Sequence, residues 1–236
     1  MASESKQSSD VEVSWTAVDE RTQACTFRFR GLTPTMLSMV RHALMKDVSC
    51  LAFAAVDFLK CTASWEYELI AHRIGQIPVA AVDPSTGGGT DGHGAVFEAR
   101  VKADDPTVSP CVYTIVKSTD FKLCRGSDGS APTATIVHAR SGLEAGVARG
   151  GFQVVTLLPG QEVHLRAIAE RGTGREGTRW KCVHVTQVQG PPHVENVLRV
   201  ETTGAVQAWD ALHMALVATE HRLRRAAESL AVSRRA

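Results

Sequence analysis

The sequence has none of the short motifs that identify common catalytic sites. Its 236 residues contain no G-x-S-x-G nucleophile turn, no Walker-type phosphate loop, no Rossmann glycine signature and no H-E-x-x-H metal motif. The six cysteines form no C-x-x-C pair, and no second pair is spaced to complete a zinc site with Cys111 and Cys124. We therefore expect no catalytic residues, no bound metal and no cofactor.

The sequence also lacks excess charge and long apolar runs. The formal net charge is only +1, which gives no general attraction to nucleic acid. No apolar run reaches the length of a membrane span, and the opening MASESKQSSD lacks the apolar core of a signal peptide. These features predict a soluble intracellular protein with reduced thiols and a flexible tail over residues 1–10.

The first half of the chain carries clear local patterns. The alternating runs VEVSWTAV and ACTFRFRG predict a β-hairpin. In LTPTMLSMVRHALMKDV a helix is expected, because Thr33 can cap the first turn and Pro34 fits the first helical position. Leu37, Val40 and Leu44 line one face of this helix. CLAFAAVDFLK then predicts a strand.

A short helix with a His-Arg pair is predicted within WEYELIAHRIGQIPVAAVD. Its apolar face is formed by residues at helical spacing, namely Tyr67, Ile70, Ala71 and Ile74. His72 and Arg73 lie on the opposite face in the last turn, where basic residues suit the helix dipole. Gly75 is expected to end the helix in a left-handed conformation.

The middle of the chain predicts strands separated by glycine-rich loops. VFEARVKAD, CVYTIVKS and ATIVHAR alternate in the manner of half-buried strands, and STGGGTDGHG and GSDGSAPT read as loops. FQVVTLL and EVHLRAIAE flank the turn PGQ and are expected to pair as a hairpin. The glycines of RGTGREG predict a bend after the second of these strands.

The chain ends with the predicted strand ENVLRVET and a long helix from about Gln207. This helix has an apolar seam with alternating spacings of three and four residues, formed by Trp209, Leu212, Leu216, Thr219, Leu223, Ala226 and Leu230. Such a seam packs either along a helix of another chain or on the sheet of its own chain. The residues favour neither alternative.

Four segments, in order, resemble the alpha-like subunits of multisubunit RNA polymerases, which are the D-type subunits of archaea and the third-largest subunit of RNA polymerase II with its counterparts. ELIAHRIGQIPV is similar to the family signature E-F-L-A-H-R-I-G-L-I-P. TPTMLSMVRHALMKDV resembles the first dimerisation helix, with Arg41 at the first arginine of L-R-R and His42 in place of the second. VVTLLPGQEVHLRAIAERGTGREGTRW and LRVETTGAVQAWDALHMAL resemble two later family segments.

The resemblance implies an α+β fold. A discontinuous dimerisation domain, an antiparallel sheet with two helices, would comprise 11–62 plus 187–236. An inserted, mainly β domain would cover 63–186. The cysteine cluster that some relatives carry in the middle domain is absent here, and the chain is compact and divergent, as a subunit encoded by a virus with its own polymerase would be.

The resemblance also implies a function and partners. The chain would be a non-catalytic assembly subunit that heterodimerises with a small alpha-like subunit, of the eleventh-subunit or archaeal L type. This pair would form the platform for the two large catalytic subunits, with DNA contacted only indirectly and no membrane involved. The location would be the nucleus in a eukaryote, and the virion or infected cell for a virus.

Two groups of residues would carry these contacts. The partner interface would comprise Leu37, Val40, Arg41, Leu44, Trp209, Leu212, Leu216 and Leu223. His72, Arg73 and Gly75 would lie where a large subunit docks or at the domain junction, and an ion pair of Arg73 within its own chain fits equally well. A self-associating structural module and a small-ligand enzyme are the alternatives, although the enzyme would need a polar constellation that the sequence does not show.

Overall fold

The computed structural model describes residues 12–19, 24–81, 95–105, 107, 112–124, 134–137, 151–188 and 196–233. The elements in chain order are β1 (Glu12–Asp19), β2 (Ala24–Arg30), α1 (Pro34–Lys46), β3 (Ser49–Cys61), α2 (Tyr67–Gly75), β4 (Val79–Ala81), β5 (Ala95–Lys102), β6 (Thr114–Lys117), β7 (Phe121–Leu123), β8 (Ala134–Ile136), β9 (Gln153–Leu157), β10 (Glu162–Thr173), β11 (Val183–Val188), β12 (Asn196–Thr202) and α3 (Ala208–Ser233). The predicted tail 1–10 and the loop STGGGTDGHG lie outside the described residues.

The chain divides into two compact units. Unit 1 comprises the described residues of Met1–Val48, Val183–Thr202 and Gln207–Ala236. Unit 2 comprises those of Ser49–Cys182 together with Thr203–Val206. Unit 1 therefore draws on two distant parts of the sequence. Among the described residues, no helix is long and apolar enough to cross a membrane.

Unit 1 is a four-stranded sheet in the order β1-β2-β12-β11 with α1 and α3. The predicted β1–β2 hairpin is confirmed, with Trp15 opposite Phe27 in an antiparallel register. The predicted start of α1 is confirmed as well, because the Met36 amide donates to Thr33 Oγ1 at 3.3 Å and Pro34 opens the helix. The largest side chains in the core are Phe27, Phe29, Leu37, Leu44 and Leu198.

Unit 2 contains a six-stranded sheet in the order β7-β5-β10-β3-β4-β8 and a two-stranded sheet of β6 and β9. The pairs within both sheets are antiparallel. Helix α2 packs against β3 and β9 through Ile70 and Ile74, which are fully buried. Both units are thus mixed α and β with antiparallel sheets, and the predicted α+β class is confirmed at this level.

The predicted hairpin between β9 and β10 is wrong. β9 pairs with β6, while β10 lies between β3 and β5. The intervening turn is tied to the end of β5 instead, since the Gly160 amide donates to the Asp104 carbonyl at 2.7 Å and the Ala103 amide donates to the Gln161 carbonyl at 2.8 Å. These bonds direct the two strands into different sheets.

Two further expectations differ from the structure. Gly75 is the last residue of α2 and does not have a positive φ. The helix ends with two backbone hydrogen bonds that span three residues: the Gln76 amide donates to the Arg73 carbonyl, and the Ile77 amide donates to the Ile74 carbonyl. Strand β3, placed by the resemblance in the first domain, belongs to unit 2, because it pairs with β10 from Ser49 to Cys61.

Candidate protein interaction surfaces

The first half of α3 lies on the sheet of its own unit. Ala208, Ala211, Leu212 and Ala215 are buried on one face of the helix, against β2, β12 and α1. Small alanine side chains let the helix approach these elements closely. This half of the seam therefore packs on its own unit, and Leu212 is a core residue of that unit.

Three of the four α1 residues assigned to the partner interface are also core residues. Leu37, Val40 and Leu44 are at most 4% exposed. In this conformation they are too buried to contact a partner directly, and they can contribute to a partner surface only by packing beneath it. Arg41 is partly buried, and its Nη1 lies 4.0 Å from the Met45 sulfur.

The second half of α3 is uncovered within the described structure. Every side chain from 220 to 231 is exposed. Leu216, Leu223 and Leu230 are 37%, 51% and 71% exposed and follow one another at intervals of seven residues. This spacing places them along one line of the helix surface. We call these three residues the leucine line; Leu230 was part of the predicted seam but not of the predicted interface.

Contacts of Arg222 and Trp209 hold α3 to the rest of unit 1. Arg222 forms an ion pair with Asp47, the residue that caps the end of α1. At the start of the helix, the Trp209 ring lies 5.7 Å from Phe27 and 6.2 Å from Trp15. Trp15 and Trp209 are nevertheless 58% and 53% exposed, so the two tryptophans form an aromatic surface beside the base of α3.

A shallow groove of about 270 Å³ lies between α1 and α3, lined by Thr35, Ser38, Met39, His42, Thr219 and Arg222. Its polar groups are hydroxyls, one imidazole and a guanidinium that is already paired with Asp47. In the part of the chain that the structure describes, no group of three or more His, Cys, Asp or Glu residues is placed to hold a metal. The expectation that the protein binds no metal stays a prediction.

The two residues of the His-Arg pair of α2 differ: Arg73 contacts other residues of unit 2, and His72 is exposed. Arg73 Nη1 donates to the Val154 carbonyl at 3.1 Å, and its guanidinium lies 4.8 Å from the centre of the Trp65 ring. Arg73 thus joins α2 to β9 within unit 2 through a backbone carbonyl and an aromatic face. His72 is exposed on the same turn.

The segment RGTGREGTRW builds a contact that the sequence did not reveal. The Trp180 indole packs flat on Gly172, and its Nε1 donates to the Glu170 carbonyl at 3.1 Å. The neighbouring Arg179 donates through Nη1 to the carbonyls of Phe53 at 3.1 Å and Ala54 at 2.6 Å. The bend predicted from the glycines therefore returns the chain onto β10 and β3. The sequence feature that could have predicted this contact is Trp180 at the end of a glycine-rich segment, because glycines leave room for a large ring to pack on the backbone.

Replacing Gly172 with alanine should destabilise the protein. The added Cβ would lie 2.5 Å from Trp180 Cε2, so the ring must move, at a cost of about 1–3 kcal/mol. Gly75→Ala is the matched control, because its Cβ would meet only the Phe53 carbonyl oxygen at 3.6 Å. Urea unfolding should show a lower midpoint for Gly172→Ala alone. Equal midpoints for the two variants would show that the Trp180 contact is unimportant.

A polar cluster lies across β5 and β10. His164 Nε2 and Glu98 Oε1 are 2.5 Å apart, Cys124 Sγ contacts Glu98 Oε2 at 3.7 Å, and Arg166 lies 3.8 Å from the same oxygen. The hydrogen bond from His164 is the main cause that lowers the pKa of Glu98. Burial and the Glu98 charge raise the pKa of the Cys124 thiol, so this thiol is not activated.

The lowered pKa of Glu98 predicts a stability that depends on pH. The contribution is present at pH values above the ordinary carboxyl pKa and is lost as the pH falls through the lowered value in the folded protein. Glu98→Gln should therefore lower the melting temperature at pH 7 more than at pH 3. Melting curves between these pH values test it, and a deficit that does not shrink in acid would contradict the role of the charge.

The chain is similar to known RNA polymerase subunits over about three quarters of its length. No family model matches it. It is 29% identical over 185 residues to the DNA-directed RNA polymerase subunit Rpo3 of Methanosphaera stadtmanae, covering 75% of this chain and 60% of that protein. It is 25% identical over 181 residues to Rpo3 of Methanothermobacter thermautotrophicus, covering 76% and 62% respectively. It is also 25% identical over 204 residues to subunit 3 of RNA polymerases II, IV and V of Arabidopsis thaliana, covering 75% and 56%.

These relatives agree with the resemblance found in the sequence. The chain spans less than two thirds of the length of each of them. All three names are those of a third RNA polymerase subunit, from archaea and from a plant. By sequence, the chain is therefore a relative of the alpha-like third subunits of multisubunit DNA-directed RNA polymerases.

Proposed function

We propose that the protein is a non-catalytic assembly subunit of a DNA-directed RNA polymerase, and that unit 1 is its dimerisation domain. The similarity to third polymerase subunits supports the first part of this proposal, and the leucine line on the uncovered half of α3 is the observation that carries the second. Leucines exposed at a regular interval of seven residues match the seam of a helix that packs along a second helix. In this proposal the second helix belongs to a small alpha-like subunit.

The charge pattern around the leucine line supports a protein partner. Glu220 and Arg224 pair with each other at 2.9 Å on the exposed helix, so this acidic side chain is neutralised locally. Arg222 is held by Asp47. A partner helix would therefore meet an apolar line flanked by charges that already have counter-ions, which lowers the cost of removing water from the surface.

Unit 2 corresponds in this proposal to the inserted, mainly β domain, with its limits at Ser49 and Cys182 rather than at 63 and 186. The heterodimer would serve as the platform for the two large catalytic subunits. His72 is the residue of α2 that we assign to docking, because it is exposed. Arg73 would act indirectly, by holding α2 against β9, and Gly75 is buried and therefore has no direct part in docking.

Co-expression tests this proposal. The leucine line leaves apolar surface open to solvent, so we expect the chain alone to associate with itself or to be poorly soluble. Co-expression with a small alpha-like subunit should yield a soluble complex with one copy of each, measured by size-exclusion chromatography with light scattering. Isolation of the native protein should then recover large polymerase subunits. Recovery of a homo-oligomer alone would instead support a self-associating module.

A further inference from the structure

The central strands of the six-stranded sheet in unit 2 carry charged side chains on one face. Buried positions alternate with more exposed ones along β5 and β10, so the charged residues of these strands point away from the core. We call this side of the sheet the outer face. Helix α2 lies on the other side, where Ile70 and Ile74 join the core.

Two neighbouring rows of residues across the outer face differ in charge. The antiparallel register makes one row alternate in sign, in the order Lys122, Glu98, Arg166 and Asp57. The next row has Lys60 and Arg100 on either side of His164, with no acid between the two cations. Lys102 lies two positions beyond Arg100 on β5. We call Lys60, His164, Arg100 and Lys102 the basic band.

The acids beside the basic band already have partners. Glu162 lies opposite Lys102 in the register, but its ion pair is with Lys60. Glu98 contacts His164, with 2.5 Å between its Oε1 and the histidine Nε2. These carboxylates therefore neutralise one side of the band and leave the cations of β5 without a counter-ion.

Arg100 and Lys102 are the two cations of the band that lack a partner. Both are exposed, and neither forms an ion pair or a hydrogen bond with the described residues. Their charges already act on Glu162. The hydrogen bond from Lys60 is the main cause that lowers the pKa of this carboxyl, and the positive charges of Lys60, Lys102 and Arg100 lower it further. A carboxylate from outside the chain would be stabilised by the same charges.

The spacing of Arg100 and Lys102 fits an extended acidic segment. Residues two positions apart on a strand are about 7 Å apart, and their side chains point to the same face. An extended peptide lying over the outer face has the same repeat, so carboxylates at every second position would meet both cations. Neighbouring side chains on a helix surface are only about 5–6 Å apart, which matches this spacing less well.

Two features of the outer face favour a protein segment over nucleic acid. Glu98 and Glu162 lie among the cations, and they would repel a continuous chain of phosphates. On β10 from 162 to 166, and opposite these positions on β3 and β5, the described residues of the outer face include no Phe, Tyr or Trp. Bases would therefore find no large aromatic ring to stack on.

We propose that the basic band binds an extended, acidic segment of another protein, in which carboxylates two residues apart pair with Arg100 and Lys102. Exposed ion pairs contribute little each, so this contact would be reversible and sensitive to salt. The surface is separate from the leucine line and from the exposed side of α2. The inference therefore does not rest on the proposed function.

The experiment measures fluorescence anisotropy of a short labelled peptide in which glutamate and serine alternate. It uses the full-length chain in low salt, with the co-expressed subunit present where solubility requires it. We expect the wild type to bind this peptide, and the double variant Arg100→Gln and Lys102→Gln to bind it about five- to tenfold more weakly. A peptide with the same number of glutamates separated by two serines should bind the wild type about threefold more weakly, because only one carboxylate can face the sheet.

The matched control is the double variant Arg171→Gln and Lys181→Gln. It removes the same charge from exposed residues of unit 2, one near the end of β10 and one after the 3₁₀ helix over Thr178–Trp180. Its affinity for the alternating peptide should stay within about twofold of the wild type. Melting curves of both double variants should match the wild type, because the changed side chains are exposed.

Three results would overturn the proposal. The first is no binding of the alternating peptide by the wild type in low salt. The second is an equal loss of affinity in the two double variants, which would show a general attraction of the peptide to positive charge. The third is tighter binding of an oligothymidylate of the same charge than of the peptide, which would identify the band as a nucleic-acid surface.

Discussion

Changing both Leu216 and Leu223 to aspartate is expected to abolish binding of the small alpha-like partner while the chain itself stays folded. The two leucines are 37% and 51% exposed in the isolated chain, so a carboxylate at either position remains in water. In the proposed heterodimer the same carboxylates would be buried without a counter-ion. At about 2 kcal/mol or more for each, the affinity should fall by about 1000-fold.

The matched control is the pair Val217→Asp and His221→Asp. Both side chains are exposed on α3, and the change in charge is the same, but they lie on a different face from the leucine line. A pull-down of each variant after co-expression with the partner, alongside circular dichroism, separates a lost interface from a lost helix. If the leucine variant binds as tightly as the control, the leucine line is not the partner surface.

For the final helix, the sequence predicted the element and its apolar seam but not what the seam packs against. The spacing of its apolar residues predicted both the helix and its seam, because that pattern depends only on the helical period. It could not show what covers the seam, since a sheet and a partner helix require the same spacing. The structure divides it: Leu212 is buried in its own unit, and Leu223 is half exposed.

The errors have a common physical origin in contacts between distant residues. Alternation predicted β9 and β10 as strands, but their pairing is decided by bonds from the intervening turn to Ala103 and Asp104. One of the two alternatives for Arg73 paired it with an acidic residue of its own chain, whereas its guanidinium donates to the Val154 carbonyl, 81 positions along the chain. Local patterns specify elements, whereas such long-range partners depend on how the sheets assemble.

Truncation of Arg73 to alanine should lower the free energy of unfolding of the protein by about 2–4 kcal/mol. A hydrogen bond from a charged group to a partly buried carbonyl is worth about 1.5–3 kcal/mol, and the stacking on Trp65 adds about 0.5–1 kcal/mol. The Val154 carbonyl would also lose the donor seen in the structure. Urea unfolding followed by tryptophan fluorescence measures the loss, with Trp65 itself close to the changed site.

His72→Ala distinguishes stabilisation from docking on the same turn of α2. The exposed imidazole should contribute less than about 0.5 kcal/mol to folding, so this variant should unfold as the wild type does. If α2 docks a large subunit, a pull-down of the large subunits by the heterodimer should weaken for His72→Ala without any loss of stability.

Arg73→Ala should weaken the same pull-down only as far as its lower stability disturbs the helix. Arg73→Lys should recover part of the stability and part of the pull-down. An Arg73→Ala variant that unfolds normally yet fails to recruit the large subunits would reverse the assignment. Arg73 would then be the docking residue, and its contacts with Val154 and Trp65 would contribute nothing to the fold.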